Sequence, residues 1–331
     1  MIDLHLHLDG SLSPEDVLHL AALSGVTLPC QKAEALLPLL EAEPDCQNLA
    51  EYLEKFDLPL QVLQTEEAIA AGVYLLLKRL AEQRLVYAEI RFAPQLHLAR
   101  GLTQEQVVAA AVRGLEKAID EFSMPAQLIL CCMRSDDNEA ANLETVRVAK
   151  SFLGQGVCAV DLAGNEAAFP TKDFTPVFSL ARKLGVPYII HAGEAAGPES
   201  VYQALELGAK RIGHGVRSAE DPKLLTILQS KNIPLELCFS SNLQTKAVKS
   251  GEPYPLAHYW ELGIPVVVNT DNMTVSGTSL HKEYRLLQER LELSADTLKA
   301  IALNAANAAF VDSQTRERLK VQIEASFYQW L

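Results

Sequence analysis

The sequence predicts one α/β domain built as a (β/α)8 barrel of the TIM type, and three observations lead to this prediction. The 331-residue chain contains eight short apolar segments that are bounded by turn residues. Most of these segments are separated by one stretch of helical periodicity, which favours parallel strands joined by right-handed crossovers. The chain also lacks the glycine-rich phosphate loops and the nucleophile motif G-x-S-x-G that are typical of open parallel sheets.

The strand predictions rest on apolar runs that are rich in β-branched residues. They cover residues 2–8, 84–92, 127–133, 157–163, 187–191, 210–213, 233–239 and 264–270.

The helix predictions rest on start and stop signals. Thr103 with Gln106 forms a capping-box pattern ahead of apolar residues at helical spacing, so we predict a connecting helix over 103–122. Other helices are expected to begin at Ser13, at Thr65, near Ser200, near Pro222 and at Ser294, with Gly25 and Gly185 as helix ends.

The segment 13–83 is too long for a single crossover. We predict several helices here, inserted between strands 1 and 2, and insertions of this kind often form a lid near the active face. Neither an internal repeat nor a linker-like stretch divides the chain, so residues 1–331 are expected to form a single domain.

The amino-acid composition limits the classes of molecule that this protein is expected to bind. With 42 acidic and 29 basic residues the net charge is −13, which disfavours nucleic acid and anionic membranes and favours a small uncharged substrate. The six cysteines show no C-x-x-C spacing and are expected to be reduced. The chain shows neither a signal-peptide pattern nor an apolar stretch of membrane-spanning length, so a cytoplasmic location is expected.

The run His5-Leu6-His7 is the first indication of chemistry. On a strand these side chains share a face, although such a pair is more often two ordinary half-buried histidines. His191 and Asp271 close two other apolar runs. Since the carboxyl ends of barrel strands meet at one face, these four residues could converge as a catalytic zinc site completed by a water.

Seven motifs, in order along the chain, resemble the adenosine deaminase family of metal-dependent amidohydrolases. They are HLHLDGSL (5–12), EIRFAP (89–94), DLAGNE (161–166), HAGE (191–194), RIGHG (211–215), SSN (240–242) and NTDN (269–272). The resemblance implies that His5, His7, His191 and Asp271 bind one zinc ion. It also implies hydrolysis of a purine nucleoside, adenosine or 2′-deoxyadenosine, to inosine or its deoxy form and ammonia, as in purine salvage.

The resemblance further implies two catalytic residues. Glu194 would give a proton to purine N1, and His214 would orient the attacking water and stabilise charge. By itself, His214 could also be a capped core histidine.

The resemblance implies a set of substrate contacts as well. The backbone N–H of Gly164 would contact purine N3, although a turn glycine is the simpler interpretation. Asp9 would accept a hydrogen bond from the ribose, and it could otherwise cap the nearby helix. His7 is placed among the substrate contacts, and Phe56 is the candidate pocket residue of segment 50–63, most of which is expected to be core.

Two positions bear on substrate choice. Adenine deaminases tend to carry Glu where this chain has Asp9, which points to adenosine. Asn272 stands where many family members have a second Asp that donates to purine N7, and an amide can donate the same hydrogen bond. A neutral amide could also accept a hydrogen bond, which leaves the range of substrates open.

Four further residues are given structural interpretations. Glu89 and Arg91 share a face of strand 2 and are expected to form an ion pair near the barrel mouth, and Ser240 and Ser241 are expected to shape the loop after strand 7.

Several competing classes of protein are weighed against a mononuclear adenosine deaminase. A binuclear hydrolase would need a carboxylated lysine on strand 4, and 157–163 contains no lysine. The classes that stay open are a deaminase of adenine, of N6-methylated adenine nucleotides or of aminodeoxyfutalosine, a non-catalytic zinc or purine-binding module, and a structural protein.

Overall fold

A computed structural model describes residues 1–43, 46–248 and 251–331. Eight parallel strands form two four-stranded sheets, each in sequential order. The first sheet contains β1 (Ile2–His7), β2 (Tyr87–Phe92), β3 (Ala126–Arg134) and β4 (Val157–Gly164). The second sheet contains β5 (Ile190–Ala192), β6 (Ile212–His214), β7 (Leu235–Leu237) and β8 (Val266–Val268).

Isolated backbone bridges join the two sheets at both edges. Leu6 of β1 pairs with Asp271 beyond β8, and Val160 of β4 pairs with Tyr188 ahead of β5. The hydrogen bonds are ordinary: the His7 N–H donates to the Asp271 carbonyl at 2.8 Å, and the Ile189 N–H donates to the Val160 carbonyl at 3.0 Å. The strands therefore follow one another around a ring, and the predicted α/β barrel is confirmed.

The strands of the second sheet are shorter than the sequence predicted. Pro187, Pro234 and Pro265 lie just ahead of β5, β7 and β8 and have no N–H to extend the ladder toward the N-terminus. The predicted strand over 84–92 also begins later, because Arg84 adopts a left-handed conformation (φ 60°). Proline and positive φ thus moved the strand boundaries without changing the number of strands.

The helices include those that the capping signals predicted. Ser13 and Thr103 each form a complete capping box, Thr65 and Ser294 each accept from a backbone N–H, and Gly25 and Gly185 end their helices in the left-handed region. The α-helices are α1 (Pro14–Ser24), α2 (Ala33–Leu40), α3 (Leu49–Leu53), α4 (Asp57–Val62), α5 (Glu66–Glu82), α6 (Gln104–Phe122), α7 (Glu139–Phe152), α8 (Thr175–Leu184), α9 (Pro198–Leu207), α10 (Pro222–Lys231), α11 (Phe239–Gln244), α12 (Leu256–Glu261), α13 (Leu280–Leu291), α14 (Ala295–Ala308) and α15 (Ser313–Trp330).

Five of these helices, α1 to α5, lie between β1 and β2, as predicted for segment 13–83. Leu49 and Tyr52 of α3 pack with Val275 in a small buried cluster that is separate from the main core. The hydroxyl of Tyr52 also hydrogen-bonds the Ser276 hydroxyl at 2.6 Å. The insertion is therefore held against the loop that follows β8.

Within the described part of the chain, no helix combines the length and the apolar character needed to cross a membrane.

Candidate metal and catalytic site

The four predicted metal ligands lie together at the carboxyl ends of the strands. The ligand atoms of His5, His7, His191 and Asp271 all lie within 4.8 Å of one another. Asp271 Oδ1 is 3.3 Å from the Nε2 atoms of both His5 and His7. The Nε2 atoms of His7 and His191 are also 3.3 Å apart. Side chains from β1, β5 and the loop after β8 thus converge on one point.

The chemistry of this donor set fits a metal ion. His5 Nε2 is buried and makes no hydrogen bond in the described structure. Burial lowers the pKa of His7 and of His191, so both rings are held neutral with lone pairs available. Three imidazoles and one carboxylate match the ligands that zinc prefers, and an orphaned buried nitrogen is explained by such an ion.

Two buried carboxylates orient the ligand rings from behind. His5 Nδ1 donates to Glu236 Oε2 at 2.8 Å, and His191 Nδ1 lies 2.9 Å from Asp161 Oδ2. A carboxylate on Nδ1 fixes the ring so that Nε2 presents its lone pair to a metal.

The predicted pair between Glu89 and Arg91 is wrong. Arg91 instead lies between the two carboxylates that hold the histidines, at 2.7 Å from Asp161 Oδ2 and 2.9 Å from Glu236 Oε2. Glu89 pairs with Arg211 at 2.5 Å. Each charge is fully buried, so each needs a partner, and the neighbouring strands bring closer partners than a strand offers to itself.

Two site residues have a strained backbone. His214 and Asp271 adopt left-handed conformations, with φ of 62° and 59°. Non-glycine residues seldom occupy this region, and such strain persists where the surroundings hold it in place. Both residues follow or end short strands, where the turn redirects their side chains into the site.

Glu194 lies two residues past β5 and lines the same pocket as the metal ligands. Burial, the charge of Asp271 and the charge of Glu166 raise its pKa to about 8. Its Oε1 accepts a hydrogen bond from the Thr245 hydroxyl at 3.0 Å. A carboxyl group in this state can hold a proton near neutral pH and give it to a base.

The loop that carries Glu194 is held by one carboxylate. Glu166, from the DLAGNE motif, accepts hydrogen bonds from four consecutive N–H groups at 2.7 to 3.0 Å. These groups belong to residues 193–196. The loop therefore has a fixed shape, which places the Glu194 side chain.

His214 lies beside Glu194, with Nε2 at 3.5 Å from Glu194 Oε2. Its Nδ1 contacts the Asn242 amide at 3.0 Å, and burial lowers its pKa well below the usual value. Since His214 lines the pocket, the interpretation as a capped core histidine is not supported.

The pocket brings the remaining predicted residues together on its walls. Gly164 has φ of +105°, and a Cβ there would approach the backbone of Arg134. Phe56 lies partly buried on the opposite, helical side, 6.3 Å from the ring of Tyr52. The residues that line the pocket are His7, Asp9, Leu49, Tyr52, Leu53, Phe56, Asp57, Leu60, Ala93, Leu96, Cys131, Met133, Ala163, Gly164, His191, Glu194, His214, Asp271 and Asn272.

Asp9 does not cap α1, so the capping interpretation of this residue is wrong. Ser13 caps that helix, whereas the Asp9 carboxylate accepts a long hydrogen bond from the adjacent Gly10 N–H at 3.2 Å. Burial raises the pKa of Asp9 to about 6. Its carboxyl group therefore faces the pocket with acceptor capacity to spare.

Asn272 is buried beside the metal ligands, and its Oδ1 makes no hydrogen bond in the described structure. A Cβ at Gly10 would lie 1.9 Å from that oxygen, so only glycine leaves room for it. The amide thus lies at the pocket wall with its carbonyl oxygen free to accept a hydrogen bond.

The serines after β7 have different partners. Ser241 Oγ donates to Asp271 Oδ2 at 2.6 Å, so it supports a predicted metal ligand. Ser240 Oγ instead hydrogen-bonds Glu283, away from the pocket.

Several residues of the site were missed in the sequence. Asp161, Glu236 and Arg211 could have been found, because a charged residue inside an apolar strand must be paired in the folded protein. Glu166, Asn242 and Thr245 lie in loops or a short helix, and only the tertiary structure brings them to the site.

Two solved structures that resemble this chain closely in fold are named as deaminases. An adenine deaminase from Arthrobacter aurescens is 28% identical, with 98% of each chain covered and a TM-score of 0.89. The N6-methyl-AMP deaminase from Arabidopsis thaliana is 25% identical, with 99% of this chain and 97% of that chain covered and a TM-score of 0.85. The fold and the site therefore define a hydrolase of the deaminase class, with a barrel of the metal-dependent amidohydrolase type.

The sequence comparisons narrow this class to a family. The family model for adenosine deaminase matches residues 1–326. A relative from Haemophilus ducreyi named adenosine deaminase is 50% identical over 99% of this chain and 97% of its own length. The chain belongs to the adenosine deaminase family, which confirms the predicted family and the prediction of an enzyme.

Proposed function

We propose that this protein catalyses the zinc-dependent hydrolytic deamination of adenosine and 2′-deoxyadenosine to inosine, or 2′-deoxyinosine, and ammonia. The observation that carries the proposal is one pocket that holds a metal donor set, the protonatable Glu194, and the free carboxyl group of Asp9.

The metal would be held by His5, His7, His191 and Asp271, one ion per chain. When bound, zinc lowers the pKa of a coordinated water toward about 7, which supplies a nucleophile at neutral pH.

Glu194 is proposed as the acid. In its protonated form it gives a proton to purine N1, which makes C6 electrophilic, and the water oxygen adds to C6. That oxygen loses one proton as it adds and the second as the C6–N bond breaks. One of these protons replaces the proton that Glu194 gave to N1, and the other leaves with the amine as ammonia.

His214 is proposed to contact the attacking oxygen and to stabilise the charge that develops on it. Its Nε2 faces the same space as the Glu194 carboxyl group, 3.5 Å away, so both groups can contact the reacting atoms.

The purine would be held by groups on the pocket wall. The N–H of Gly164 is proposed to contact N3, and the Asn272 amide is proposed to donate to N7. His7 and Phe56 would lie against the substrate, since both line the pocket.

The part of the pocket that would hold the ribose favours a nucleoside over a nucleotide. Asp9 is proposed to accept a hydrogen bond from a ribose hydroxyl, and its carboxylate would repel a 5′-phosphate. Among the described residues that line the pocket there is neither Lys nor Arg, whereas Asp9 and Asp57 are both present. Recognition of a phosphate group generally requires cationic side chains.

The state of the cysteines bears on the cellular location of the protein. Six free cysteines fit a reducing compartment, and we propose a cytoplasmic enzyme of purine salvage that acts as a single domain over residues 1–331.

A substrate screen with the metal-loaded enzyme tests the proposal. Ammonia release should be fastest with adenosine and 2′-deoxyadenosine, and slower with adenine, AMP, N6-methyl-AMP and aminodeoxyfutalosine. Asp9→Ala should lower kcat/KM for adenosine by about 1–3 kcal/mol, the scale of a hydrogen bond to a charged group, and leave adenine nearly unchanged. Preference for a free base or a nucleotide, or an equal loss on adenosine and adenine, would contradict the proposed substrate.

A further inference from the structure

The short helix α11 and the residue after it direct three hydrogen-bond donors at three different groups of the site. Ser241 donates to Asp271 at 2.6 Å, Asn242 contacts His214 Nδ1 at 3.0 Å, and Thr245 donates to Glu194 at 3.0 Å. Asn242 and Thr245 are three residues apart and so share a helix face. One element outside the metal donor set therefore contacts both proposed catalytic residues.

The orientation of the Asn242 amide follows from its other partners. Its Oδ1 accepts from the backbone N–H of Cys238 at 3.3 Å and from the Tyr254 hydroxyl at 2.9 Å. A backbone N–H can only donate, so the oxygen of the amide must lie on that side. The Nδ2 group therefore faces His214, and an amide NH2 can only donate.

This orientation fixes the imidazole. The ring nitrogen that accepts from Asn242 carries no proton, so a neutral His214 carries its proton on the other nitrogen, Nε2. That nitrogen is the one that faces Glu194 and the pocket.

We propose that Asn242 is a positioning residue that holds His214 in the Nε2–H tautomer, so that His214 acts on the attacking oxygen as a hydrogen-bond donor and not as its base. This inference rests on the proposed function and assigns a role that the metal site and Glu194 do not require.

The Nε2–H tautomer prevents His214 from acting as a base toward the attacking water. Because His214 Nε2 has no lone pair in this form, it cannot take a proton from the attacking water. Glu194 becomes a carboxylate once it has protonated N1, so it can take up the first water proton and pass it to the departing amine. The second water proton then restores the acid form of Glu194. The structure thus assigns proton transfer to Glu194 and charge stabilisation to His214.

Nitrogen-15 NMR of the metal-loaded wild-type enzyme tests the tautomer directly. The chain has eight histidines, so the His214 signals would be identified by their loss in His214→Gln. We expect Nδ1 to give the signal of an unprotonated ring nitrogen and Nε2 that of a protonated one. A protonated Nδ1 in the wild type would overturn the inference without any variant having to fold.

Asn242→Asp is the sharpest substitution, because it keeps the shape and the acceptor for Cys238 and Tyr254. The new carboxylate can only accept, so Nδ1 of His214 should gain a proton in the NMR spectrum. We expect kcat for adenosine to fall by about 10²-fold, as for the loss of one donor to a developing charge, with KM and metal content nearly unchanged.

Leu243→Ala provides the matched control. Leu243 lies on the same helix and its side chain is 42% exposed, so this variant should keep both the wild-type tautomer and kcat. A kcat for Asn242→Asp within about threefold of wild type would contradict the positioning role. Absence of deamination in the wild type would instead contradict the proposed function, whatever the tautomer.

Discussion

The two sheets of the barrel place their site residues by different means. The strands of the first sheet have six to nine residues, whereas each strand of the second has three. His5 and His7 lie within β1, and Asp161 lies within β4, so the strand register sets their positions. Glu194 and Asp271 lie beyond the short strands, in loops.

Beyond the short strands of the second sheet, side-chain hydrogen bonds hold the loops that carry site residues. Glu166 holds the loop that contains Glu194, and Ser241 holds Asp271. The long strands thus position His5 and His7, and the short strands are followed by loops that carry Glu194 and Asp271. The two sheets should respond differently to substitution, with losses of stability in the strand network and losses of turnover in the loops.

The largest effect is expected at the proposed metal site, where residues from both sheets meet. His191→Ala removes a proposed ligand, so metal content and turnover should be lost together. Metal analysis and an ammonia-release assay measure the two quantities. His258→Ala, at an exposed position on α12, should retain both. Full metal occupancy and normal activity in His191→Ala would contradict the donor set.

The next effect concerns Glu194, the proposed acid in the loop after β5. Glu194→Gln should keep the metal and the binding of a purine nucleoside while kcat falls by at least about 10²-fold, the range for acid catalysis. The protonated form is the active one and its pKa is raised to about 8, so wild-type kcat/KM should decline as the pH rises through that value. The residual activity of the variant should lack this decline. A near-wild-type kcat would rule out the acid role.

Arg91→Met tests the strand network and should mainly affect stability. It leaves the carboxylates of Asp161 and Glu236 buried without their shared cation, so the free energy of unfolding should fall by about 3–5 kcal/mol. Chemical denaturation measures this change. Arg285→Met, which breaks an exposed pair with Glu289, should change stability by less than about 1 kcal/mol. Equal effects of the two substitutions would show that the buried network does not stabilise the barrel.

The smallest effect is expected at the loop support. Glu166→Gln replaces one acceptor oxygen by an NH2 group that cannot accept, so the loop over 193–196 loses part of its support. We expect kcat to fall about tenfold, or about 1.4 kcal/mol, with metal content unchanged. Glu199→Gln, at an exposed position on α9, is the control for loss of a carboxylate. Unchanged turnover in Glu166→Gln would mean that strand β5 alone places Glu194.

Local and periodic features of the fold could be predicted from the amino-acid sequence. The apolar runs predicted all eight strands, and capping signals predicted helix starts at Ser13, Thr65, Thr103 and Ser294, because these features depend on neighbouring residues. Motif order indicated the family and the residues that converge at the strand ends. The four proposed metal ligands could also be predicted from the sequence, because barrel topology brings the ends of the strands together.

The pairing of the buried charged and polar groups could not be predicted, because it depends on how the strands and loops pack. Glu89 and Arg91 share a strand face, yet each charge pairs across strands, because the barrel closes around them and brings shorter contacts. The contact of Asn242 with His214 joins residues 28 positions apart, and the contact of Thr245 with Glu194 joins residues 51 positions apart. Such contacts depend on the packing of loops after short strands, where neither residue periodicity nor strand register fixes the partner.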